Sequence, residues 1–337
     1  MTTLEDHVPA PDPVQYRDRT TRLQVLGVYS FLLALGSFGF VGLMSLGTLA
    51  ARTVPQDLAA GSASPASLIP SLLMYGVLGV AYFALGIGLV GGRKWARAIG
   101  HAVGWMWLVF GLFGSLFAML ILPTVFEQTF AAAPAGSAAP PIGLMVGCTL
   151  FAMAVIFGLM PLPFVLGLGG RDVQRTVAVK DLKPRLTDGL STPLLATVLC
   201  LSMGVLSVLA VPLGGVFPLF GHLFDGVTAF GFALAMSALC AGAAWYSARR
   251  QILGWWLLLG LSLVGLINSA AMFLGSFDWN AYYERIGLSI RQIPFNPSEL
   301  FGHTSVRLSM IVLGAVYLGF VLWLKRHYDA PRSAEVE

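Results

Sequence analysis

Charge is the scarcest property of this chain: only 11% of its 337 residues are Asp, Glu, Lys or Arg, where soluble domains carry roughly a quarter. So few charges cannot cover a water-facing surface of this size. Hydrophobic residues make up 57% and the mean hydropathy is +0.79. They fall in blocks of roughly 20 or more, the length a helix needs to cross a bilayer core. Lipid is the expected solvent of the fold. The basic residues behind the net charge of +4 sit in short clusters between these blocks and form no face or arm, which argues against a nucleic-acid partner. Cysteine is sparse too. Cys148, Cys200 and Cys240 lie inside apolar blocks without C-x-x-C spacing, where a thiol packs as a small hydrophobe. Neither a disulfide framework nor a zinc site is expected.

Ionisable groups are missing where energy coupling would need them. No Asp, Glu, Lys or Arg falls in the central part of any apolar block, whereas proton relays, ion-coupled carriers and voltage sensors depend on such groups. His101 comes nearest, but it lies about two helical turns from the basic cluster 93–97, within reach of the interface. The sequence contains no G-x-S-x-G, H-E-x-x-H or Walker A motif and no dinucleotide fingerprint between a strand and a helix. The glycine-rich string 166–170 ends an apolar block and faces no phosphate-binding fold. No cofactor and no resident metal are expected.

Eight blocks have spanning length: 23–50, 68–91, 98–122, 142–169, 192–213, 226–247, 252–275 and 305–324. The predicted fold class is all-α, a polytopic integral membrane protein of eight transmembrane helices. Charge tests the topology. With the N-terminus in the cytoplasm, all but Arg52, Arg285, Arg291 and Arg307 of the 20 Lys and Arg residues fall on the inner side, as the positive-inside rule demands. Trp95, Trp105, Trp107, Trp245, Trp255, Trp256 and Trp323 lie near predicted inner ends and Trp279 just beyond an outer one, at the headgroup depth that indole favours. Some of them, Trp105 and Trp107 above all, also suit packing between helices. Residues 1–21 contain Glu5, Asp6, Asp12 and three prolines, which reads as a disordered tail and not as a signal peptide.

Short basic turns join the second span to the third and the sixth to the seventh, and a Gly-Trp pair follows each, Gly104-Trp105 and Gly254-Trp255. A parallel repeat of four plus four helices is therefore expected. On this reading 1–22 is a cytoplasmic tail, 23–170 a first four-helix half and 171–191 a basic cytoplasmic linker. Residues 192–324 form the second half, with an outer amphipathic segment near 277–293, and 325–337 form a cytoplasmic tail. Small residues four apart predict close helix packing: Ala84, Gly88 and Gly92; Gly100 and Gly104; Gly111 and Ser115; Gly143 and Gly147; and Ala229, Ala233, Ser237 and Ala241.

Two groups of residues are candidate sites. On the outer side His222 and Asp225 precede the sixth span, and Glu299, His303 and Arg307 surround the start of the eighth. Imidazole and carboxylate together suit a small ligand or a divalent ion, and interfacial residues satisfied by water and headgroups have the same composition. Near the predicted midplane, Pro161 interrupts the fourth span and Asn268 is an amide deep in the seventh. A broken helix can free carbonyls toward a substrate, although ordinary kinks and interhelical hydrogen bonds use the same residues. Membrane lipid is the expected partner. A protein partner would dock at the outer segment 276–303 or at the inner loop 171–191, whose basic residues otherwise attract anionic headgroups.

The sequence favours a non-enzymatic scaffold or accessory subunit, or a binder of lipid or another apolar ligand. The alternative is a small-molecule transporter or channel not coupled through intramembrane carboxylates. An interfacial enzyme using His222, Asp225 and His303 ranks last. The Ala/Gly/Pro-rich outer loops look bacterial, so the expected location is a bacterial inner membrane with both termini cytoplasmic.

Overall fold

In lipid every backbone N–H and C=O must find its partner within the chain, which leaves an apolar block of this length little choice but helix. The computed structural model, which describes residues 17–51, 65–131, 141–206, 215–286 and 296–329, is built that way. The first half comprises α1 (Thr20–Ala51), α2 (Pro65–Val90), α3 (Lys94–Ala131) and α4 (Ile142–Met153). A π-helical turn, Ala154–Leu159, continues α4 into α5 (Leu162–Leu168), and α6 (Arg171–Lys180) follows. The second half begins with α7 (Thr192–Val205) and a hairpin of β1 (Val216–Leu219) and β2 (His222–Asp225). It continues with α8 (Gly226–Ala248), α9 (Ile252–Leu274), the short α10 (Trp279–Arg285) and α11 (Pro297–Gly302), then α12 (Thr304–Leu324) and α13 (Arg326–Asp329).

Among the described residues seven helices are long and apolar enough to cross a membrane, and α7 is a shorter apolar helix. The chain is an all-α polytopic membrane protein. The predicted span 192–213 begins on α7, and its residues 207–213 lie outside the described residues. At 38 residues and 1.5 Å per residue, α3 is about 57 Å long, far more than the roughly 30 Å hydrocarbon core. It runs through Pro123 into the segment that the sequence assigns to a loop.

The helix ends nearest the basic turns converge, and each half has its own core there. Leu23, Leu26, Leu85, Leu89, Ala96, Phe164 and Leu168 form one cluster, closed by Val173 and Val177 of α6. Leu194, Leu201, Ala243, Ala244, Trp255, Leu258, Val321 and Leu324 form the other, closed by Tyr328 of α13. Both halves turn the same way between their second and third spans. Gly92 (φ +62°) and Arg250 (φ +55°) adopt the left-handed conformation. Gly92 N–H donates to Leu89 O and Arg93 N–H to Gly88 O, as Arg250 N–H does to Ser247 O and Gln251 N–H to Tyr246 O. This is the Schellman hydrogen-bond pattern, twice. The Gly-Trp pairs are out of register by comparison, Gly254 following Arg250 by four residues and Gly104 following Gly92 by twelve.

Glycines set the closest crossings. A Cβ on Gly27 would meet Gly86 O at 3.0 Å, and a Cβ on Gly86 would meet Gly27 O at the same distance, so α1 and α2 touch backbone to backbone. Gly100 and Gly104 face Leu168 and Phe164 of α5, and Gly111 faces Phe157. Ala229, Ala233 and Ser237 are buried on α8. Gly143 and Gly147 on α4 face open space instead. Toward the distal end the first half opens out: α4 and the π-helical turn bury no residue, and Leu43, Leu46 and Phe151 are exposed.

Candidate functional site

The polar residues expected on the outer side fall into two separate settings. His222 pairs with Leu219 across the hairpin, and Asp225 forms an ion pair with Arg285 of α10 at 3.3 Å. Glu299 of α11 accepts hydrogen bonds from Gln128 Nε2 (3.2 Å) and Asn296 Nδ2 (3.1 Å), while Gln128 Oε1 accepts from Asn296 N–H (3.2 Å). The long α3 is thus tied to α11, joining the two halves at the distal end. His303 is the N-cap residue of α12, and Arg307 Nε is buried without a hydrogen-bond partner. Among the described residues no three His, Cys, Asp or Glu side chains gather into a metal site.

Pro161 and Asn268 have local partners at different depths. Prolines 161 and 163 cannot donate, and the π-helical turn absorbs the first of them, with Met160 N–H bonding Val155 O five residues back (3.0 Å). Phe164 N–H donates to Pro161 O (3.1 Å), which deprives Met160 O of its usual helical donor. The Tyr29 hydroxyl replaces it at 2.8 Å. Tyr29→Phe is expected to lower stability by about 1 kcal/mol, read as a fall in the thermal midpoint in detergent; an unchanged midpoint would mean that the carbonyl finds another donor. Asn268, six residues from the distal end of α9, accepts the Phe220 N–H at 2.6 Å and donates to Met272 Sδ at 3.6 Å. Phe220 (φ +49°) and Gly221 (φ +81°) make the type I′ turn that a two-residue hairpin needs. Asn268 anchors that turn.

The cleft of greatest chemical interest lies at the opposite, basic end. It encloses about 260 Å³ between α3, α6, the 187–190 turn and the start of α7. Lys94, Arg97 and His101 line it from α3, at the i, i+3, i+7 spacing of one helix face. Gln174 of α6 and Thr187, Asp188 and Thr192 complete its polar lining. One Arg97 Nη bonds Leu168 O at 3.3 Å. His101 Nδ1 and Thr187 Oγ1 are buried without a hydrogen-bond partner, and so is the hydroxyl of Ser191, the N-cap residue of α7. Asp188 accepts from Arg185 N–H at 3.1 Å and lies within electrostatic reach of Arg97 across the cleft. By sequence alone Lys94 and Arg97 set topology and His101 lies near the interface. Their common face was the signal, and its meaning depended on what packs opposite.

Beside the cleft, Asp181 is 1% exposed. Its Oδ2 accepts the Lys94 N–H at 3.1 Å, and Arg93 and Arg185 approach its two oxygens at 3.6 Å each. Burial alone would raise the carboxyl's pKa. The Lys94 N–H, then Arg185 and Arg93, outweigh burial and hold it below the usual carboxylate value.

The chain matches no protein-family model, and neither a curated protein nor a solved structure is similar to it.

Proposed function

We propose that this protein is a non-enzymatic accessory subunit or scaffold that works by holding lipid or a partner's transmembrane helix along its fourth span. One observation carries this reading: α4 and the π-helical turn bury no residue, and Gly143 and Gly147 leave their backbone open. Helices in lipid gain little from the hydrophobic effect and associate through close backbone approach at small residues. A spanning helix that keeps such a stripe uncovered is suited to take an acyl chain or a second helix there. The gathering of basic residues at one end supports a cytoplasmic location for both termini, and a bacterial inner membrane fits the loop composition. The paired cores and matching Schellman turns support two four-helix halves related by a parallel repeat.

Native mass spectrometry of the full chain extracted in mild detergent tests this. Retained lipid or a stoichiometric partner is expected, with Gly143→Leu/Gly147→Leu lowering retention without changing the thermal midpoint. A bare monomer carrying neither lipid nor partner would sink the reading.

A further inference from the structure

We infer that the cleft at the basic end is a seat for a phosphate group. The inference goes beyond the lipid- or helix-holding role of α4 and stands on different residues. An oxyanion site needs cationic and neutral donors converging at a depth where the ion is partly freed from water. Lys94 and Arg97 bring two cations to one wall, against the one carboxylate of the lining, Asp188, which lies within electrostatic reach of Arg97. Among the described residues the Lys94 ammonium has no ion-pair or hydrogen-bond partner. His101, Gln174 and Thr192 add neutral hydrogen-bonding side chains to the same lining. The cleft also borders the first residues of α7, Thr192 and Leu195 among them. Pro193 brings no N–H there and the Leu195 N–H already bonds Ser191 O at 2.9 Å, so this helix start contributes only the positive end of its dipole.

Phosphate fits this set better than a carboxylate, because its several oxygens can take both cations and the neutral donors together. At about 260 Å³ the space falls below the roughly 300–1,000 Å³ of sites that enclose drug-sized ligands. It takes a headgroup and leaves the rest of a larger molecule outside. Basic pockets between transmembrane helices at headgroup depth are where anionic lipids are held. A soluble phosphate ester offers the same chemistry to the same donors.

The test separates the two sources. The full chain is placed in phosphatidylcholine nanodiscs and its thermal midpoint followed in two arms, one with increasing phosphatidylglycerol in the disc, the other with glycerol phosphate added to neutral discs. A saturable rise in the first arm identifies a lipid headgroup, and in the second a soluble ester; either supports the seat. Lys94→Gln is expected to weaken the apparent affinity about five- to tenfold while leaving the ligand-free midpoint unchanged, since that ammonium holds nothing in the fold. Gln174→Leu removes a polar group of the lining without a charge change and should also weaken binding. Arg171→Gln, on the exposed start of α6 outside the cleft, should have no effect. Absence of a saturable rise in both arms, or an equal loss in Arg171→Gln, would overturn the proposal.

Discussion

Gly254→Leu is expected to open the second half at its basic end, lowering stability by about 3 kcal/mol or more. A Cβ at this position would lie 2.5 Å from Ser247 N and 2.8 Å from the Tyr246 carbonyl carbon. These are backbone atoms at the last turn of α8 and cannot rotate aside as a side chain would. Relief requires α8 and α9 to separate. That separation pulls on the Ser247 Oγ···Tyr328 OH hydrogen bond (2.7 Å) and on Trp255 Nε1–H, which donates to Val321 O at 2.9 Å. Both hydrogen bonds are buried, so losing them adds about 1 kcal/mol each. Gly260→Leu is the matched control, because a Cβ there meets nothing within 4 Å. Thermal unfolding in one detergent should show a fall of roughly 6–12 °C for the first substitution and almost none for the second. Equal tolerance of the two would mean that the crossing of α8 and α9 is looser than its distances imply.

The helices were legible in the sequence because lipid allows an apolar block hardly any other structure. The third span is the exception. Lys94-Trp95-Ala96-Arg97 adds a polar turn before the apolar block, and Pro123 reads as a stop, so the predicted 98–122 missed the turns that extend α3 at each end. The π-helical turn before Pro161 is equally hidden, since it records how a helix yields to proline and not a residue preference. In α6 the triple Val173, Thr176 and Val177 repeats at helical spacing and is buried, but three basic residues in the same stretch give it the look of a linker. The hairpin escaped because Val216-Phe217-Pro218-Leu219 is too short and apolar to distinguish from the end of a span.

Partnerships were the least legible layer. Glu299 stands out by its charge, while its partner Gln128 lies 171 residues away. Asn268 has the sequence setting of an interhelical or ligand-facing amide, and it holds a backbone N–H of a turn 48 residues upstream. Periodicity reports which face of a helix is apolar and carries no information on which other helix covers it. The cleft shows the same limit. Its α3 face lies within eight residues, but the atoms that make it a concavity come from α6, the 187–190 turn and α7.

Asp181→Ala is the second substitution with a large expected effect, about 2–3 kcal/mol, because one carboxylate there serves three elements. It caps α3 through the Lys94 N–H, where a negative charge also opposes the positive end of the helix. It holds Arg93, in the turn after α2, and Arg185, in the linker toward α7. Alanine removes the cap and leaves those cations facing one another. Asp181→Asn keeps an oxygen that can accept from Lys94 and loses only the charge, so it should cost about half as much. The Arg93 and Arg185 side chains are 47% and 37% exposed, and water screens what they contribute. The pH dependence separates the two contributions. A carboxyl whose folded pKa lies below its ordinary value stabilises the protein above that value, and the benefit is lost as the pH falls through the folded pKa. Wild-type stability should therefore decline as the pH drops below about 3.8, the ordinary value. The decline should be shallower by one titrating group in Asp181→Asn. Identical acid profiles for the two would assign the effect of Asp181→Ala to the lost helix cap alone, with no share from the charge.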